Sequence, residues 1–524
     1  NPPFTRRERI PAKKEELEKL VPEVKGKTGY WAYFVVAADK LLKENGIMAL
    51  VIPEEFFVGR SAESVREYLF NKEYAVKYVV RSAVEVAFSE SAHYRDYLVV
   101  LQKGSSEDHM VLLILKEKLD EIRNKMDYML PKIIELRKTP DRKIILKELT
   151  AVMIHDSSQF VKKHIGNLKP LVSFNTYEAQ TLALELLDEI SKNPTLKELM
   201  KKHVVSIKVY NPGQYHTKGV EAEARKLFAS RYGSRGPNVI FTIKESNEQG
   251  ACFDVKKTKL SFEAPLSSTV FSLRTYSKVK HLDITNEEEL AIVDVDAIPR
   301  EILKLTGLLP IDNMIRAAED ISSAYKEISG NILLIRKVRL TSPDLYWTAF
   351  TSNNKVLGTT SALLNMNVTD NRTRLPFLLY FNSVVTLLQL IAFMAETEAA
   401  WVTFHGKQVW SHIHVPKIGS IFRFAEKAQE IFNRIRKLDV KPLFDRIKAH
   451  DSIQRQIDEL ALEMLGLNHW KPRLDEIYNA VAKELETMHK ILETSRKKPK
   501  KTKTQQKEEK EKGRTESLAK WFKK

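Results

Sequence analysis

The sequence predicts an α/β fold: the C-terminal half of a doubly wound sheet, then a mixed α+β region and a helical C-terminal segment. Three observations support this prediction. Apolar residues recur at helical spacing after Gly29. Short apolar runs then alternate with helical stretches, as they do in α/β domains. From about Val204, turn residues separate short β-like runs instead.

The first 104 residues contain the elements of the predicted half-domain. A helix begins near Tyr30 and ends at the Asn45-Gly46 stop signal, and its apolar positions are Trp31, Phe34, Val35, Ala38, Leu41 and Leu42. The run Ile47 to Ile52, closed by Pro53, predicts a buried strand. A helical stretch at 61–69 and strand-like segments at 74–80 and 97–102 follow. A loop, helix, strand, helix, strand, strand order is typical of half a doubly wound domain.

The composition of the sequence divides the rest of the chain into four further regions. Residues 105–203, rich in Leu, Ile and Lys, predict a mainly helical connector. Residues 204–420 contain the β-like runs at 204–210, 239–243, 332–338 and 346–350. Residues 421–493 carry two helical stripes, at 453–464 and 474–488, which predict a helical hairpin broken at Gly466. Residues 494–524 form a basic tail whose composition predicts disorder.

An uncharged stretch of 21 residues, Leu375 to Ala395, is long enough to span a bilayer. Polar residues such as Asn382 and Gln389 interrupt it, and Pro376 lies near its start. We therefore expect a buried helix here and no membrane contact.

The chain opens on Asn1-Pro2-Pro3-Phe4. The Asn side-chain oxygen and the Pro2 carbonyl can both accept hydrogen bonds from one amino group. Proline fixes φ and so holds these acceptors in place, and the ring of Phe4 offers a stacking face for a base. The alternative is a proline-fixed loop without chemistry.

These residues resemble the catalytic motif of amino-group DNA methyltransferases of the N6-adenine branch. The segments "YWAYFVVAADKLLKENGIMALVIPEEFF", "VREYLF" and "AFSESAHYRDYLVVLQKG" are similar to the motifs that follow it in type I and type IIG restriction–modification methyltransferases. The order, catalytic motif before recognition region, is that of the gamma class. The resemblance covers roughly residues 1–104, which would be the C-terminal half of a Rossmann-like methyltransferase domain.

The resemblance implies methyl transfer from S-adenosylmethionine to the N6 of a flipped adenine, in a cytoplasmic, nucleoid-associated enzyme. Asn1 and Pro2 would orient the amine, Pro3 would stiffen the loop and Phe4 would stack on the base. The family's Gly-rich donor-binding loop lies upstream of this motif, and the nearest candidate here, Gly233-Ser234-Arg235-Gly236, reads as a loop. We expect that the chain alone does not bind the donor and needs a missing N-terminal half or a partner subunit.

The net charge of +17 suits a polyanionic partner. Residues 495–524 carry 13 Lys and Arg against 4 Glu, or +9, which leaves 17 − 9 = +8 for the other residues. In the family the region after the catalytic domain recognises double-stranded DNA, so residues 204–420 are the predicted target-recognition region. The candidate DNA contacts are Arg225, Lys226, Arg231, Arg235, Arg372 and Arg374; a solvated basic face is the alternative for each.

Other candidate chemistry is sparse. Cys252, the single cysteine, reads as a buried small hydrophobe. His412 and His414 would be strand neighbours with a spacing that can ligate metal, but a structural role is favoured because no third ligand lies nearby. We predict no metal site, and no nuclease motif is recognisable.

The last ten residues place Leu518, Trp521 and Phe522 on one face of a helical turn. This peptide resembles the sliding-clamp-binding peptide of archaeal replication and repair enzymes, with Thr515 where that motif usually has Gln. A chance hydrophobic cluster is the alternative. For the whole chain, the alternatives to an adenine methyltransferase are a non-catalytic DNA-binding or specificity remnant, and an enzyme that methylates RNA or protein.

Overall fold

The structure of the protein is a computed structural model. It describes residues 2–4, 14–26, 28–84, 88, 95–105, 107–139, 143–214, 219–233, 239–308, 311–359, 362–396 and 402–496. The described residues form a mixed α/β protein with several mixed sheets and many helices. Asn1, Arg235 and the terminal peptide with Leu518, Trp521 and Phe522 lie outside the described residues.

The first region contains seven helices and six strands. In chain order they are α1 Lys14–Leu20, α2 Tyr30–Leu41, β1 Ile47–Pro53, α3 Glu55–Val58, α4 Glu63–Asn71, β2 Ala75–Ser82, β3 Asp96–Gln102, β4 Met110–Leu115, α5 Leu119–Arg123, α6 Met126–Leu136, β5 Ile144–Ile145, β6 Leu149–Ile154 and α7 Ser157–Lys163. The strands form one sheet in the order β1-β3-β2-β4-β6-β5.

Strand direction in this sheet is mixed. β3 pairs antiparallel with both β1 and β2, so β1 and β2 run in the same direction. β2 pairs parallel with β4, and β4 pairs antiparallel with β6. The strands expected within residues 1–104 are therefore present and adjacent.

The sheet continues beyond residue 104, because β4, β5 and β6 come from the stretch predicted to be a mainly helical connector. All six residues of β4, the run MVLLIL, are buried. A strand that is apolar on both faces carries no alternation in its sequence, so periodicity alone does not distinguish it from a helix.

Hydrophobic cores cover the two faces of this sheet. One core contains Trp31 and Phe56 with the apolar side chains of α2 and α4, and the other contains Met129 and Ile133 of α6. Asp39 on α2 is fully buried beside the first core. It accepts hydrogen bonds from Tyr68 and Tyr74 and pairs with Lys72 and Lys103, which joins α2 to the neighbouring elements.

The middle region is built mainly of strands. Its elements are α8 Tyr177–Ile190, α9 Leu196–Lys201, β7 Val205–Lys208, α10 Glu221–Leu227, β8 Phe228–Ala229, β9 Phe241–Ser246, β10 Gly250–Val255, β11 Ser261–Pro265, β12 Thr269–Leu273, β13 Glu289–Ile292, α11 Arg300–Leu305, α12 Ile311–Ile328, β14 Gly330–Ile335, β15 Lys337–Val338, β16 Ala349–Gly358 and β17 Leu363–Val368. A seven-stranded sheet has the order β7-β17-β14-β16-β12-β13-β8, and a separate three-stranded sheet has the order β11-β10-β9.

The last region is mostly helical. It comprises α13 Arg374–Phe381, α14 Val384–Phe393, β18 Ala395–Glu396, β19 Val402–Thr403, α15 Ile418–Arg423, α16 Ala425–Ile435, α17 Leu443–Lys448, α18 Ser452–Leu465 and α19 Leu474–Arg496. These two short strands form a small sheet with β15, in which β19 pairs with both β15 and β18. Gly466 ends α18 with a φ of 78°, a left-handed conformation that favours glycine, and a 3-10 segment, Asn468–Arg473, leads into α19.

The uncharged stretch expected as one buried helix forms two, α13 and α14, and their side chains are buried. The chain turns at Asn382 and Ser383, because the Asn382 side chain bonds main-chain groups of β16 and Ser383 caps α14. Among the described helices, none alone has the length and apolar composition to cross a bilayer. The segments 371–381 and 384–393 meet that test only jointly, with a 71° bend between them.

Candidate functional site

The candidate active edge of the first sheet is the end where β1 and β2 finish. Because these strands run in the same direction, their carboxyl ends at Pro53 and Ser82 lie at one edge of the sheet. Open α/β sheets bind their ligands at such an edge. β3 begins at the same edge, with Asp96 in register with Pro53.

A buried polar cluster lies directly after β1. The Lys169 ammonium contacts the Glu54 carboxylate and donates to the Tyr97 hydroxyl at 2.8 Å. All three residues are buried, and burial raises the pKa of Tyr97. An ammonium that is enclosed by a carboxylate and a phenol is fixed in one position. The cluster therefore makes this edge rigid.

Two arginines form hydrogen bonds that link the end of β2 to neighbouring segments. Arg95 donates to the Ser82 carbonyl at 2.8 Å, and its own carbonyl accepts from the Glu54 main chain at 2.9 Å. Arg81 donates to the Asn175 side chain at 2.7 Å. Both guanidinium groups are buried, so they hold the strand ends together and are not presented to solvent.

The C-terminal helix α19 reaches this same edge through Glu484. Its carboxylate accepts from the main-chain nitrogens of Asn175 and Thr176 at 2.8–3.0 Å, and from both of their side chains. Burial is the largest influence on Glu484 and raises its pKa, while the charge of Arg81 opposes the rise. Residues 309 positions apart in the sequence therefore meet beside β2.

Three of the four predicted catalytic residues are described. Pro2 is buried, Pro3 is exposed, and Phe4 is half-buried and packs against the core that contains Phe56 and Tyr97. The predicted catalytic loop thus contacts the same core as the strand ends, and Phe4 remains partly accessible. Asn1 lies outside the described residues, so its acceptor role stays a prediction.

The structure brings two of the predicted DNA-contact segments close together. Arg231 Nε donates to the Glu288 carbonyl at 3.1 Å. Arg374 Nη1 donates to the Ser352 carbonyl at 3.1 Å, and the Ser352 hydroxyl donates to the Glu288 carboxylate. Burial lowers the pKa of Arg374. Both arginines are half-buried, and Arg231 is bonded at its Nη2 to Ser246 as well.

The other described candidates are more open to solvent. Arg225 is exposed and Lys226 is half-buried, both in the last turn of α10. Arg372 is exposed, pairs with Asp370 at 2.7 Å and lies over the Phe422 ring. The side chains of Arg225 and Arg372 are therefore the best placed of the described set to reach a partner, whereas Arg374 is the worst placed.

The expectation for His412 and His414 was wrong about secondary structure. His412 ends a 3-10 segment and stacks on Phe393 with the ring centres 5.4 Å apart, and His414 Nδ1 bonds the Asn193 carbonyl. Burial lowers the pKa of His412 to about 4. No group of three metal-ligating side chains occurs among the described residues. Cys252, expected to be buried, is half-buried because it faces outward on β10.

The buried cluster Glu54–Lys169–Tyr97 was not found from the sequence. Glu54 follows the apolar run that ends at Pro53, and a charged residue at the end of a buried strand is the only local indication. Its partner Lys169 is 115 positions away. Nothing in the sequence pattern connects two residues that far apart.

Comparison with known proteins gives one family match. Residues 1–86 match the family model described as Eco57I restriction-modification methylase. No curated protein matches the chain. The N-terminal segment is thus similar to restriction-modification methylases, and the strand ends at Pro53 and Ser82 lie within the matched residues.

Two solved structures are similar over most of the chain. The type IIG restriction endonuclease BpuSI is 14% identical, with 87% of this chain and 51% of that chain covered, at a TM-score of 0.32. The type IIL restriction-modification enzyme MmeI, solved in complex with DNA, is 9% identical, with 92% and 55% covered, at a TM-score of 0.42. The chain spans about half the length of these two proteins.

Proposed function

We propose that the chain supplies the catalytic loop and the DNA-recognition region of an adenine-specific DNA methyltransferase in a restriction–modification system. The observation that carries the proposal is the match of residues 1–86 to a restriction-modification methylase family, with Asn1-Pro2-Pro3-Phe4 at its start. Phe4 packs against the core beside the strand ends, which suits a loop that acts at the carboxyl edge of the sheet.

The chemistry assigned to the loop is the orientation of a weakly nucleophilic amine. The lone pair of an adenine N6 is delocalised into the ring, so two acceptors, the Asn1 side chain and the Pro2 carbonyl, draw its hydrogens and favour a more tetrahedral nitrogen. The accessible part of Phe4 stacks on the flipped base, which offsets part of the extrusion cost, since a base–aromatic stack contributes about 1–3 kcal/mol. S-adenosylmethionine supplies the methyl group.

The proposal also requires a donor-binding half, and the β1 edge of the first sheet, which no other described strand pairs, suits it. β1 lies at the end of the strand order, although all seven of its residues are apolar. Ile47 is 62% exposed. Strands that are apolar on both faces are typical of sheet interiors covered by helices. An additional strand beside β1 would therefore find an apolar edge.

The outer face of α2 supports the same requirement. Phe34 is 52% exposed and Leu41 is 87% exposed, and Ala37 between them is exposed too. The opposite face, with Trp31 and Val35, is fully buried. A helix that is apolar on two faces is typical of one packed on both. We propose that the donor-binding half, or a partner subunit that carries it, packs on this outer face of α2.

The alternative function is that of a DNA-binding or specificity remnant that recruits without catalysis. Arg225 and Arg372 would serve that role equally well, since neither takes part in the loop chemistry. The two functions differ in whether the chain transfers a methyl group once the donor-binding half is present.

The test is reconstitution. The chain is mixed with the donor-binding half of a methylase of the matched family, and tritiated methyl transfer to a long mixed-sequence duplex is measured. We expect label in N6-methyladenine after digestion, and none with Asn1→Ala. Label in RNA alone would favour an RNA methyltransferase. An inactive pair that still forms a complex and binds DNA would favour the recruiting remnant.

A further inference from the structure

We propose that the tip between β10 and β11, residues Lys256 to Leu260, is a second DNA-contact element that grips the phosphate backbone. The inference rests on the proposed function and extends its DNA-binding surface. The tip sequence is Lys256-Lys257-Thr258-Lys259-Leu260, which has three cations in five residues. It belongs to none of the basic segments that the sequence analysis selected.

The tip is an ordered turn. The Val255 main-chain nitrogen donates to the Leu260 carbonyl at 2.9 Å, and the Thr258 main-chain nitrogen donates to the Val255 carbonyl at 3.1 Å. The Thr258 hydroxyl donates to the same carbonyl and accepts from Leu260. The main chain of the tip is therefore fixed, and its exposed lysines project from a defined base.

The supporting sheet is small but firmly packed. The rings of Phe241 and Phe253 on the inner face each lie against Phe262, with centres 5.4 and 5.3 Å apart. The Lys256 main-chain nitrogen also donates to the Ile240 carbonyl at 2.8 Å. The tip is thus the end of a rigid β-ribbon. A major groove about 12 Å wide admits an element of this shape.

Lys257 occupies a strained position in this turn. Lys257 has a φ of 67°, the left-handed region in which glycine or asparagine is ordinarily found. Lysine at this position keeps the strain and adds a cation.

The tip carries only basic and neutral side chains, whereas the strands of the supporting sheet carry charges of both signs. Lys257 and Lys259 are exposed, and none of the ion pairs recorded among the described residues includes either. The acidic side chains Asp254 and Glu263 lie on the strands. The tip therefore presents positive charge to a partner, and a phosphate backbone is the anion that the proposed function provides.

The tip is also continuous with the segment of Arg225 and Arg231. Ser230 forms a bridge with Thr242 of β9, and Arg231 Nη2 donates to Ser246 at the other end of β9 at 2.7 Å. The three-stranded sheet thus connects a basic segment that the sequence predicted with a basic tip that it did not. The Arg231 contact lies at the end of β9 away from the tip, so a duplex that touches both would lie along this sheet.

The experiment measures binding of the full chain to a labelled mixed-sequence duplex by fluorescence anisotropy over a series of salt concentrations. The test variant is Lys257→Gln/Lys259→Gln. The matched control, Lys201→Gln/Lys202→Gln at the end of α9, removes the same charge from another exposed pair. We expect the test variant to bind about tenfold more weakly, with a log–log salt slope smaller by about 2, since each lost phosphate contact removes roughly 0.9.

A second variant, Lys257→Gly, separates folding from binding. Glycine relieves the left-handed strain, so we expect an unchanged or higher Tm together with weaker binding. Unchanged binding by both variants overturns the proposal, as does an equal loss in the control. A loss of binding to duplex RNA with none to duplex DNA overturns DNA as the partner. If the wild-type chain binds no duplex at all, the proposed function fails first and this inference fails with it.

Discussion

Arg231 and Arg374 are tied to the same buried carboxylate residue, Glu288, from two distant parts of the chain. Arg231 bonds the Glu288 carbonyl, and Arg374 bonds the carbonyl of Ser352, whose hydroxyl contacts the Glu288 carboxylate. Each arginine is therefore a structural link as well as a source of positive charge. Loss of either arginine combines a folding effect with any binding effect.

Arg225 and Arg231 should respond differently to alanine substitution. Arg225 is exposed on α10, so Arg225→Ala should weaken duplex binding, lower the salt slope by about 0.9 and leave Tm unchanged. Arg231→Ala loses two side-chain hydrogen bonds, which we expect to cost about 1–3 kcal/mol of unfolding free energy as well. Anisotropy and thermal unfolding of both variants check this. Unchanged binding by both would remove this segment from the DNA surface.

The buried pair of Lys169 and Glu54 should be costly to break on one side only. Lys169→Met leaves a buried carboxylate without its counter-charge, and we expect a loss of about 3–5 kcal/mol in unfolding free energy. Lys169→Met/Glu54→Gln removes both charges and should recover more than half of that loss. Denaturant unfolding of the wild type, the single variant and the double variant measures these free energies. A single-variant loss below about 1 kcal/mol would show that the pair does not hold the active edge.

Stability should fall as the pH rises from about 4 to about 7 because of Asp458 on α18. This carboxyl is buried and accepts hydrogen bonds from Tyr478 and the Val384 main chain, and burial raises its pKa from 3.8 to about 7. Between those values the folded protein holds a proton that the unfolded chain has lost, so the stabilising contribution is full below about pH 4 and declines through pH 7.

Asp458→Asn should remove that dependence. Asparagine keeps an acceptor for Val384 and does not ionise, so the variant should be more stable than the wild type by about 1–3 kcal/mol at pH 8 and nearly equal to it at pH 4. Urea unfolding at several pH values tests this. The control is Asp439→Asn, because that carboxyl is 74% exposed. Parallel profiles for Asp458→Asn and the wild type would contradict the assignment.

The exposed stripe on α2 should matter for assembly and little for folding. Leu41→Lys replaces a side chain that is 87% exposed, so Tm should change by no more than a few degrees. Binding of the donor-binding half should weaken at least tenfold, because a charge would be buried in the apolar contact. Leu305→Lys, at a site that is 60% exposed on α11, is the control. Equal affinities for all three proteins would exclude this face.

The terminal peptide gives a separate prediction. If Leu518, Trp521 and Phe522 bind a sliding clamp, a clamp pull-down should retain the wild-type chain and lose Trp521→Ala/Phe522→Ala. Leu438→Ala removes an exposed apolar side chain elsewhere and is the control. Retention of the double variant would contradict the clamp assignment.

Local patterns were sufficient for the first three strands. The run before Pro53 and the two segments that became β2 and β3 were recognisable from apolar residues and their flanking turns. Strand β4 was not, because an apolar run without alternation fits a helix equally well. The predicted apolar positions of α2 differ in their exposure. Trp31 and Val35 are buried, whereas Phe34 and Leu41 are exposed.

The polar contacts of the site could not be predicted from the sequence, for a different reason. Glu484 bonds Asn175 across 309 positions, and Lys169 reaches Glu54 across 115. Such pairs form because folding places separate elements side by side, and no spacing rule records them. Motif resemblance located the loop at Pro2 and Phe4, but it said nothing of what holds the sheet edge behind it.

The burial of Glu484 sets a limit on how far the protein can be shortened for crystallisation. The basic tail after Arg496 can be trimmed without touching any of these bonds. A chain that stops before Leu474 lacks α19 and therefore lacks the Glu484 carboxylate. Asn175 and Thr176 then lose their hydrogen-bond acceptor, and Arg81 loses a nearby negative charge. We expect that truncation to yield aggregates, although it removes a helix far in sequence from the catalytic loop.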